Sequence, residues 1–591
     1  MNYLLLIFSL ALAGISVFFS YKYRVSFYVM LGLFFVLCFL SGLYLVANDF
    51  TWVGINHAVI YHLHAPIAWA DIQWNIDKVI IWFLSTIFSI FFLWLLIKHS
   101  HNHKWKWNGI LTCLFMLFAI IMHPATKNIY ELTHGNYQIN SENLNQLDSD
   151  FINTTQYEVE ENTKNLVYIY LESLESGYLD NEKFPWLTPN LQKLSKANTA
   201  FSNVRQMPGT GWTIAWMVSS QCGIPLIVGN NEFWWMDQFY PKANCMWDIL
   251  KQQDYFLSYV WWADKSFAGK NLFYQTHKFD EIYGKQDYYW NDEQNSWGLY
   301  DETTLKIFLE KYNSLAKKQQ KFWLFWLTLD THGPNGFVSP SCPEYNQEEN
   351  NILNAVHCTD YLIGKLVESI QNNPDYKDTL IVLASDHLQM WTQKNHKLIW
   401  TEHERKNLFI ILDDEKNTID EPMSTLDIWP IVLNNLWIKI DELWFWKNIL
   451  KNYESFVKKY YKQDESKDDY FHARKMLFSY KKNIAEFLDF PYLTKKVLIN
   501  KQDETLILWD KKYKYPILVF FDENKKIYDI ISQVWNNYTL NSYEKSWNYL
   551  WIDKCENMDN SDNNLENNFC YKQNIQDWIE KIQKNHVVKI K

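Results

Sequence analysis

The chain is poor in glycine, with 17 in 591 residues. That is under half of the roughly 7% usual in soluble proteins, so few turns can rely on a residue without a Cβ. It has no long run of Lys or Arg, and its net charge is −11. Both facts argue against nucleic acid as a partner. Cysteines are few, and their placement is uneven. Cys38 and Cys113 lie in apolar segments, whereas Cys222, Cys245, Cys342, Cys358, Cys555 and Cys570 all follow the last such segment. An even number in that part fits three disulfides and an oxidising compartment, with six reduced thiols as the alternative. Close spacing suggests Cys342–Cys358 and Cys555–Cys570, which leaves Cys222–Cys245. What is abundant is tryptophan, with 30.

Four apolar segments open the chain: Asn2 to Phe19, Phe27 to Val46, Val79 to Ile97 and Ile110 to Met122. The first three are long enough to cross a bilayer, and the fourth is short but stands in series with them. The loops Ser20–Arg24 and Lys98–Trp107 are basic, while Asp49, Asp71 and Asp77 lie between spans two and three. The positive-inside rule then predicts four spans, with both ends of the bundle and the polar remainder on the extracytoplasmic face of the plasma (inner) membrane. The start lacks the Lys or Arg of a signal peptide.

The pattern changes after the spans. Residues 1–124 are expected to form the transmembrane part, 125–162 a polar tether, 163–453 an α/β domain and 454–591 a small α+β appendage. Buried strands are predicted at Leu166–Glu172, Tyr255–Trp261, Phe322–Leu329, Thr379–Ser385 and Asn407–Leu412, because each is a short apolar run. Helices are predicted at Pro189–Asn198, Glu302–Lys317, Gln347–Asn372 and Ser424–Leu436. Such alternation argues for a mostly parallel sheet with helices on both faces, which binds ligands beyond the carboxyl ends of its strands. The appendage shows strand-like runs at Thr505–Asp510 and Tyr515–Asp522.

The chemistry-bearing residues gather at those strand ends. Glu172 ends the first strand, Asp386 and His387 follow the fourth, and His332 follows the third. Two carboxylates and an imidazole are a reasonable set of ligands for one divalent cation. The stretch GTGWTIAWMVSSQCGIP, Gly209 to Pro225, runs from a glycine turn into a helix start. Thr210 or Thr213 there would meet an anion at a helix N-terminus. A threonine beside the cation would lose its proton more readily and become a nucleophile; the plainer alternative is a helix cap. His332 has no obvious structural task and is suited to hydrogen-bond a phosphoryl oxygen or protonate a leaving group.

Seven motifs carry a resemblance: KNLVYIYLESLE (Lys164–Glu175), LTPNLQKL (Leu187–Leu194), GTGWTIAWMVSSQCGIPL (Gly209–Leu226), ADKSFAGK (Ala263–Lys270), WGLYDE (Trp297–Glu302), LTLDTHGP (Leu327–Pro334) and ASDHLQM (Ala384–Met390). With them the chain resembles the phosphoglycerol transferase I family, which stands with lipoteichoic acid synthases and lipid A phosphoethanolamine transferases in the alkaline phosphatase/sulfatase fold. The resemblance implies a membrane enzyme that moves phosphoglycerol from phosphatidylglycerol to an extracytoplasmic glycan or polymer. It implies Thr213 as the nucleophile that forms a phospho-threonine. Glu172, Asp386 and His387 with Thr213 would be metal ligands, and His332 a phosphate-binding histidine. Lys270 falls where lipoteichoic acid synthases place an arginine, and Arg405 is a further candidate for phosphate, or else a solvated charge. Mn²⁺, Mg²⁺ and Zn²⁺ all suit the ligand set. A phosphoethanolamine transferase or phosphodiesterase on the same core is an alternative, as is an inactive lipid- or glycan-binding membrane protein. A sulfatase is disfavoured, because Cys222-Gly-Ile-Pro-Leu lacks the required arginine.

Several tryptophans stand where the family or turn physics expects glycine: Trp186, Trp216, Trp234, Trp235, Trp247, Trp261, Trp262, Trp429, Trp437, Trp444 and Trp446. A source organism that reads UGA as glycine would explain both the tryptophan surplus and the glycine deficit. Trp212 and Trp297 match family tryptophans and stand apart from these.

Overall fold

The computed structural model describes residues 2–20, 24–51, 109–134, 141–152, 163–226, 239–287, 298–345, 351–389, 405–460 and the strands between 495 and 590, apart from single positions inside these spans and a few scattered ones outside them. Helices Asn2–Ser20 and Arg24–Thr51 are long and apolar enough to cross a membrane. A third candidate is bent: Gly109–Met122 and Pro124–Tyr130 meet at 67°. Ala13, Val17, Phe34, Leu37, Met116 and Ala119 pack these helices together. Ser9 and Ser16 donate to the carbonyls of Ala119 (2.7 Å) and Thr112 (2.9 Å), the kind of interhelical bond that small hydroxyls allow between closely packed helices. The expected span at Val79–Ile97 lies almost wholly outside the described residues.

The eight-stranded sheet that follows is numbered here in chain order: β1 Asn165–Leu171, β2 Thr199–Phe201, β3 Phe256–Val260, β4 Glu281–Tyr283, β5 Phe322–Leu327, β6 Thr379–Ser385, β7 Phe409–Leu412 and β8 Asn417–Ile419. The spatial order is β8-β2-β7-β6-β1-β5-β3-β4. All neighbours run parallel except β7, which is antiparallel to both β6 and β2. β1, at the centre, explains why its sequence reads as an unbroken apolar run. Val167, Ile169 and Leu171 enter one core with Leu324 and Trp326. The alternate residues Tyr168 and Tyr170 meet Phe325, and Tyr168 also stacks on Trp429. A strand covered on both faces has no polar side to show.

Helices cover the sheet. Thr213–Cys222 lies on the tyrosine side, where Tyr170 Oη and Ser220 Oγ are 2.5 Å apart. It ends at Gly223, whose φ of 67° allows a left-handed cap with its N–H on the Ser219 carbonyl. Asp301–Ala316 and Asn351–Gln371 pack on the other side through Phe308, Tyr312, Leu362 and Leu366. Disulfides join Cys222 to Cys245 and Cys342 to Cys358. Cys555 lies outside the described residues, so its pairing with Cys570 does too. A second compact unit, formed largely by residues 481–591, consists among its described residues of a four-stranded and a five-stranded antiparallel sheet.

Candidate functional site

The carboxyl ends of neighbouring strands β1 and β6 deliver three side chains to one point. β1 and β6 are in register from Asn165–Thr379 to Leu171–Ser385. Glu172 therefore leaves the sheet beside Asp386 and His387. One ligand atom from each lies within 4.8 Å of the others, and all three residues are fully buried. His387 Nε2 stands 3.5 Å from Glu172 Oε1 and 3.3 Å from Asp386 Oδ2. Its other nitrogen, Nδ1, is 2.9 Å from the Leu388 carbonyl. A carbonyl can only accept, so Nδ1 carries a proton, and Nε2 is the nitrogen that faces the carboxylates.

The charges here are unbalanced. Burial, then the nearby Glu172, pushes the Asp386 carboxyl up to about 7. Asp386 Oδ2 is buried and, among the described residues, has no hydrogen-bond partner besides the facing His387 Nε2. Burial draws His387 down, but Asp386 and Glu172 outweigh it and raise it above the usual imidazole range. Two crowded buried carboxylates and an imidazole nitrogen turned toward both fit a divalent cation, which would take the place of the proton between them. A second cluster, Cys245, Asp248 and His277, has comparable spacing, but Cys245 is bonded to Cys222 and offers no thiolate.

The turn of Gly209 to Thr213 is linked to the segment after β6 through Gln206. A Cβ on Gly211 would fall 3.1 Å from Gln206 Nε2, and Gln206 Oε1 accepts the Leu388 N–H at 2.8 Å. The two threonines are in different states. Thr210 is buried and donates to the Met207 carbonyl, closing the turn (2.7 Å). Thr213 is half-buried and is the first residue of its helix, whereas Trp212 occupies the cap position. The capping role considered for a threonine is thus filled by neither.

His332 sits on the loop after β5. Its Nδ1 is 2.8 Å from the Gly333 carbonyl, which fixes the proton there and leaves Nε2 as an acceptor. Burial, helped by His387 and Lys270, pulls it down to about 4, so it is neutral at physiological pH. Lys270 is also buried and makes no ion pair among the described residues. Its ammonium lies over the rings of Trp261 (4.1 Å) and Phe267 (4.9 Å). Burial draws it down to about 7, against the pull of Glu172 and Asp386. Arg405 is neither a solvated charge nor free for an anion. It is buried, its Nε is 3.1 and 3.0 Å from the two Glu175 carboxylate oxygens, and its Nη2 bonds Glu175 and the Gln389 carbonyl. Glu175 Oε1 also accepts the Gln389 N–H (2.9 Å). The pair ties the segment after β1 to the segment after β6.

Supporting residues escaped the sequence reading. Thr328 Oγ1 accepts the Glu172 N–H at 2.9 Å, and Thr331 Oγ1 donates to the Glu172 carbonyl. Both belong to LTLDTHGP, where only the histidine stood out. Their signal was the motif itself, since polar residues directly after an apolar strand rarely lack a task.

Three family models match the chain: phosphoglycerol transferase I N-terminal domain over residues 2–143, sulfatase over 164–436, and phosphoglycerol transferase I middle domain over 495–585. Phosphoglycerol transferase I of Escherichia coli O139:H28 is 30% identical over 556 residues, covering 90% of this chain and 69% of that protein. The Escherichia coli O6:K15:H31 protein is 31% identical over 561 residues, with the same coverage. The chain belongs to the phosphoglycerol transferase I family. It is a phosphotransferase with N-terminal transmembrane helices and an alkaline phosphatase/sulfatase-like domain. Among solved structures, the lipoteichoic acid synthase LtaP from Listeria monocytogenes aligns with a TM-score of 0.45 and 19% identity, covering 59% of this chain and 98% of that one. An alkaline phosphatase superfamily protein from Vibrio parahaemolyticus gives 0.45 and 16%, covering 68% and 93%.

Proposed function

We propose that this phosphotransferase moves phosphoglycerol from phosphatidylglycerol to a hydroxyl of an extracytoplasmic glycan or polymer, in two displacements through a phosphorylated Thr213. The observation that carries the reading is the buried Glu172, Asp386 and His387 group at the ends of β1 and β6, with Gln206 linking the segment after β6 to the turn that leads into Thr213. These three, with Thr213, would hold one divalent ion, Mn²⁺, Mg²⁺ or Zn²⁺. When bound, it supplies positive charge that favours the ionised threonine and offsets charge on the phosphoryl oxygens.

In the first displacement Thr213 Oγ1 attacks phosphorus and the bond to the diacylglycerol oxygen breaks. His332 Nε2, neutral and unprotonated at rest, takes the threonine proton and returns it to the departing oxygen. In the second, the acceptor hydroxyl gives its proton to His332, attacks the same phosphorus, and Thr213 leaves and is reprotonated. The negative phosphodiester enters against Lys270, which is buried and makes no ion pair among the described residues. Arg405 takes no part in phosphate binding; it holds the site together through Glu175.

The anchor fits this chemistry because the donor lipid leaves a bilayer only at high cost. We place the catalytic domain on the extracytoplasmic side of a multi-pass inner-membrane bundle, with the disulfides in an oxidising compartment. The full chain in detergent, given phosphatidylglycerol and phosphatidylethanolamine separately, is expected to release diacylglycerol from the first, and Thr213→Ala to abolish that release. Release from phosphatidylethanolamine alone would make it a phosphoethanolamine transferase. Turnover unchanged in Thr213→Ala would end the threonine mechanism.

A further inference from the structure

Ser173 lies between the two carboxylates of the candidate metal site and bonds to both. Its hydroxyl donates to Glu172 Oε1 at 2.7 Å, and its backbone N–H donates to Asp386 Oδ1 at 2.8 Å. The residue is fully buried, and its φ is 53°, in the left-handed region that side chains with a Cβ avoid. A serine kept in such a conformation at a site needs a reason. Glycine would adopt this backbone without strain and would still offer the N–H to Asp386. What glycine lacks is the hydroxyl. The strain is therefore retained for the bond to Glu172 Oε1, which is also the oxygen 3.5 Å from His387 Nε2.

We propose that Ser173 is a positioning residue for the metal ligands, resting on the site reading above. Its backbone turns the Asp386 carboxylate and its hydroxyl turns the Glu172 carboxylate, so that both face the imidazole before any ion arrives. Groups that orient metal ligands in this way commonly change affinity by about 10–100-fold when removed.

The test uses the metal-free full chain in detergent, titrated calorimetrically with Mn²⁺ and with Zn²⁺, and thermal unfolding of the same metal-free samples. Ser173→Gly removes the hydroxyl and relieves the backbone. It is expected to weaken binding of the ion about 10–100-fold while leaving the metal-free Tm unchanged or raised. Ser173→Ala removes the hydroxyl and keeps the strain, and should show the same loss of affinity without the gain in Tm. Affinity within twofold of the wild type in Ser173→Gly overturns the proposal. So does a loss of affinity accompanied by a lower metal-free Tm, since that is what a merely structural serine would give. If the wild-type chain binds neither ion, the metal reading itself fails, a result distinct from either.

A different observation carries a second inference. Nine non-glycine residues among those described have positive φ, and three of them are tryptophan: Trp186 (63°), Trp437 (66°) and Trp444 (55°). Each stands where glycine is normally used. Trp437 follows the C-terminus of helix Ile428–Asn435, the place of a left-handed cap. Trp444 is the first residue of the two-residue turn closing the Leu443–Trp446 hairpin. Trp186 is 73% exposed and Trp437 44%, so burial does not explain their bulk. The indole N–H groups of Trp216, Trp247, Trp429 and Trp446 are buried with no acceptor among the described residues, which is costly for a donor. We infer that positions 186, 437 and 444 carry glycine in the native cell, through UGA decoded as glycine. The gene should show UGA at all three, and peptides from native protein should show glycine there. A UGG codon at any of them, or tryptophan in the native peptides, overturns this.

Discussion

The carboxylate of Asp301 accepts the backbone N–H groups of Leu329 (2.7 Å) and Asp330 (2.8 Å), and Asp330 Oδ2 accepts the N–H of Asp301 in return (3.1 Å). Ser339 Oγ donates to the same Asp330 oxygen at 2.5 Å. The two acids are fully buried and clasp the start of the loop that carries His332, whose own N–H bonds the Leu329 carbonyl (2.6 Å). Asp301→Asn puts an amide N–H against one of the two N–H donors and leaves a buried donor unmet. It is expected to cost roughly 1–3 kcal/mol of stability. It should lower kcat more than it raises KM, because His332 moves while lipid binding remains. Equal kcat with a shifted KM would mean that the clasp serves binding and not His332.

The same burial sets a pH dependence. Asp330, Asp386 and Asp427 are each held up to about 7, with burial the main cause, whereas an unfolded aspartate loses its proton near pH 4. Across about pH 4 to 7 the folded chain keeps protons that the unfolded chain has shed, so this stability is present below pH 4 and lost as pH rises toward 7. His332, pulled down to about 4, works in the opposite sense up to its unfolded value near 6.5. Three groups outweigh one. The metal-free Tm is expected to fall between pH 4.5 and 7, and Asp427→Asn, remote in sequence from the metal ligands, should flatten the fall. A metal-free Tm rising across that range would show that these acids are ionised in the folded chain.

Metal removal should act on stability as well as turnover. An ion bound at 100 times its dissociation constant stabilises by about 2.7 kcal/mol. Chelation of the wild type should lower Tm and abolish turnover together, and adding Mn²⁺, Mg²⁺ or Zn²⁺ back should restore both. Asp386→Asn should show a Tm indifferent to the ion. A chelator that leaves Tm and turnover unchanged would remove the cation from the account.

Much of this was legible in the sequence, and the rest fails for identifiable reasons. Thr379–Ser385 was read to the residue, and β1, β3 and β5 to within one or two, because continuous apolar runs bounded by polar residues leave little choice. The three-residue strands Thr199–Phe201, Glu281–Tyr283 and Asn417–Ile419 were missed, since three residues show no period. Glu172, Asp386 and His387 could be named in advance because strand ends in a parallel sheet converge. Arg405 could not be placed: its engagement with Glu175 spans 230 residues of sequence. Ser173 and Asp301 were invisible for a related reason, since their value lies in bonds to backbone and to carboxylates that only the fold brings near.

Lys270 should separate donor binding from chemistry. Its ammonium is buried against Trp261 and Phe267 and makes no ion pair among the described residues. Removing it in Lys270→Ala takes away a charge-assisted contact worth about 1.5–3 kcal/mol, a rise of about 10–100-fold in KM for phosphatidylglycerol, with Tm unchanged or higher. A Tm that falls with KM unchanged would make it a structural cation.

The most direct test of the central claim is peptide mapping after incubating the full chain with head-group-labelled phosphatidylglycerol and no acceptor. The account predicts glycerophosphate on the Thr213 peptide, discharged when a hydroxyl acceptor is added. Continued release of diacylglycerol with Thr213 unlabelled, or label on another residue, would contradict it.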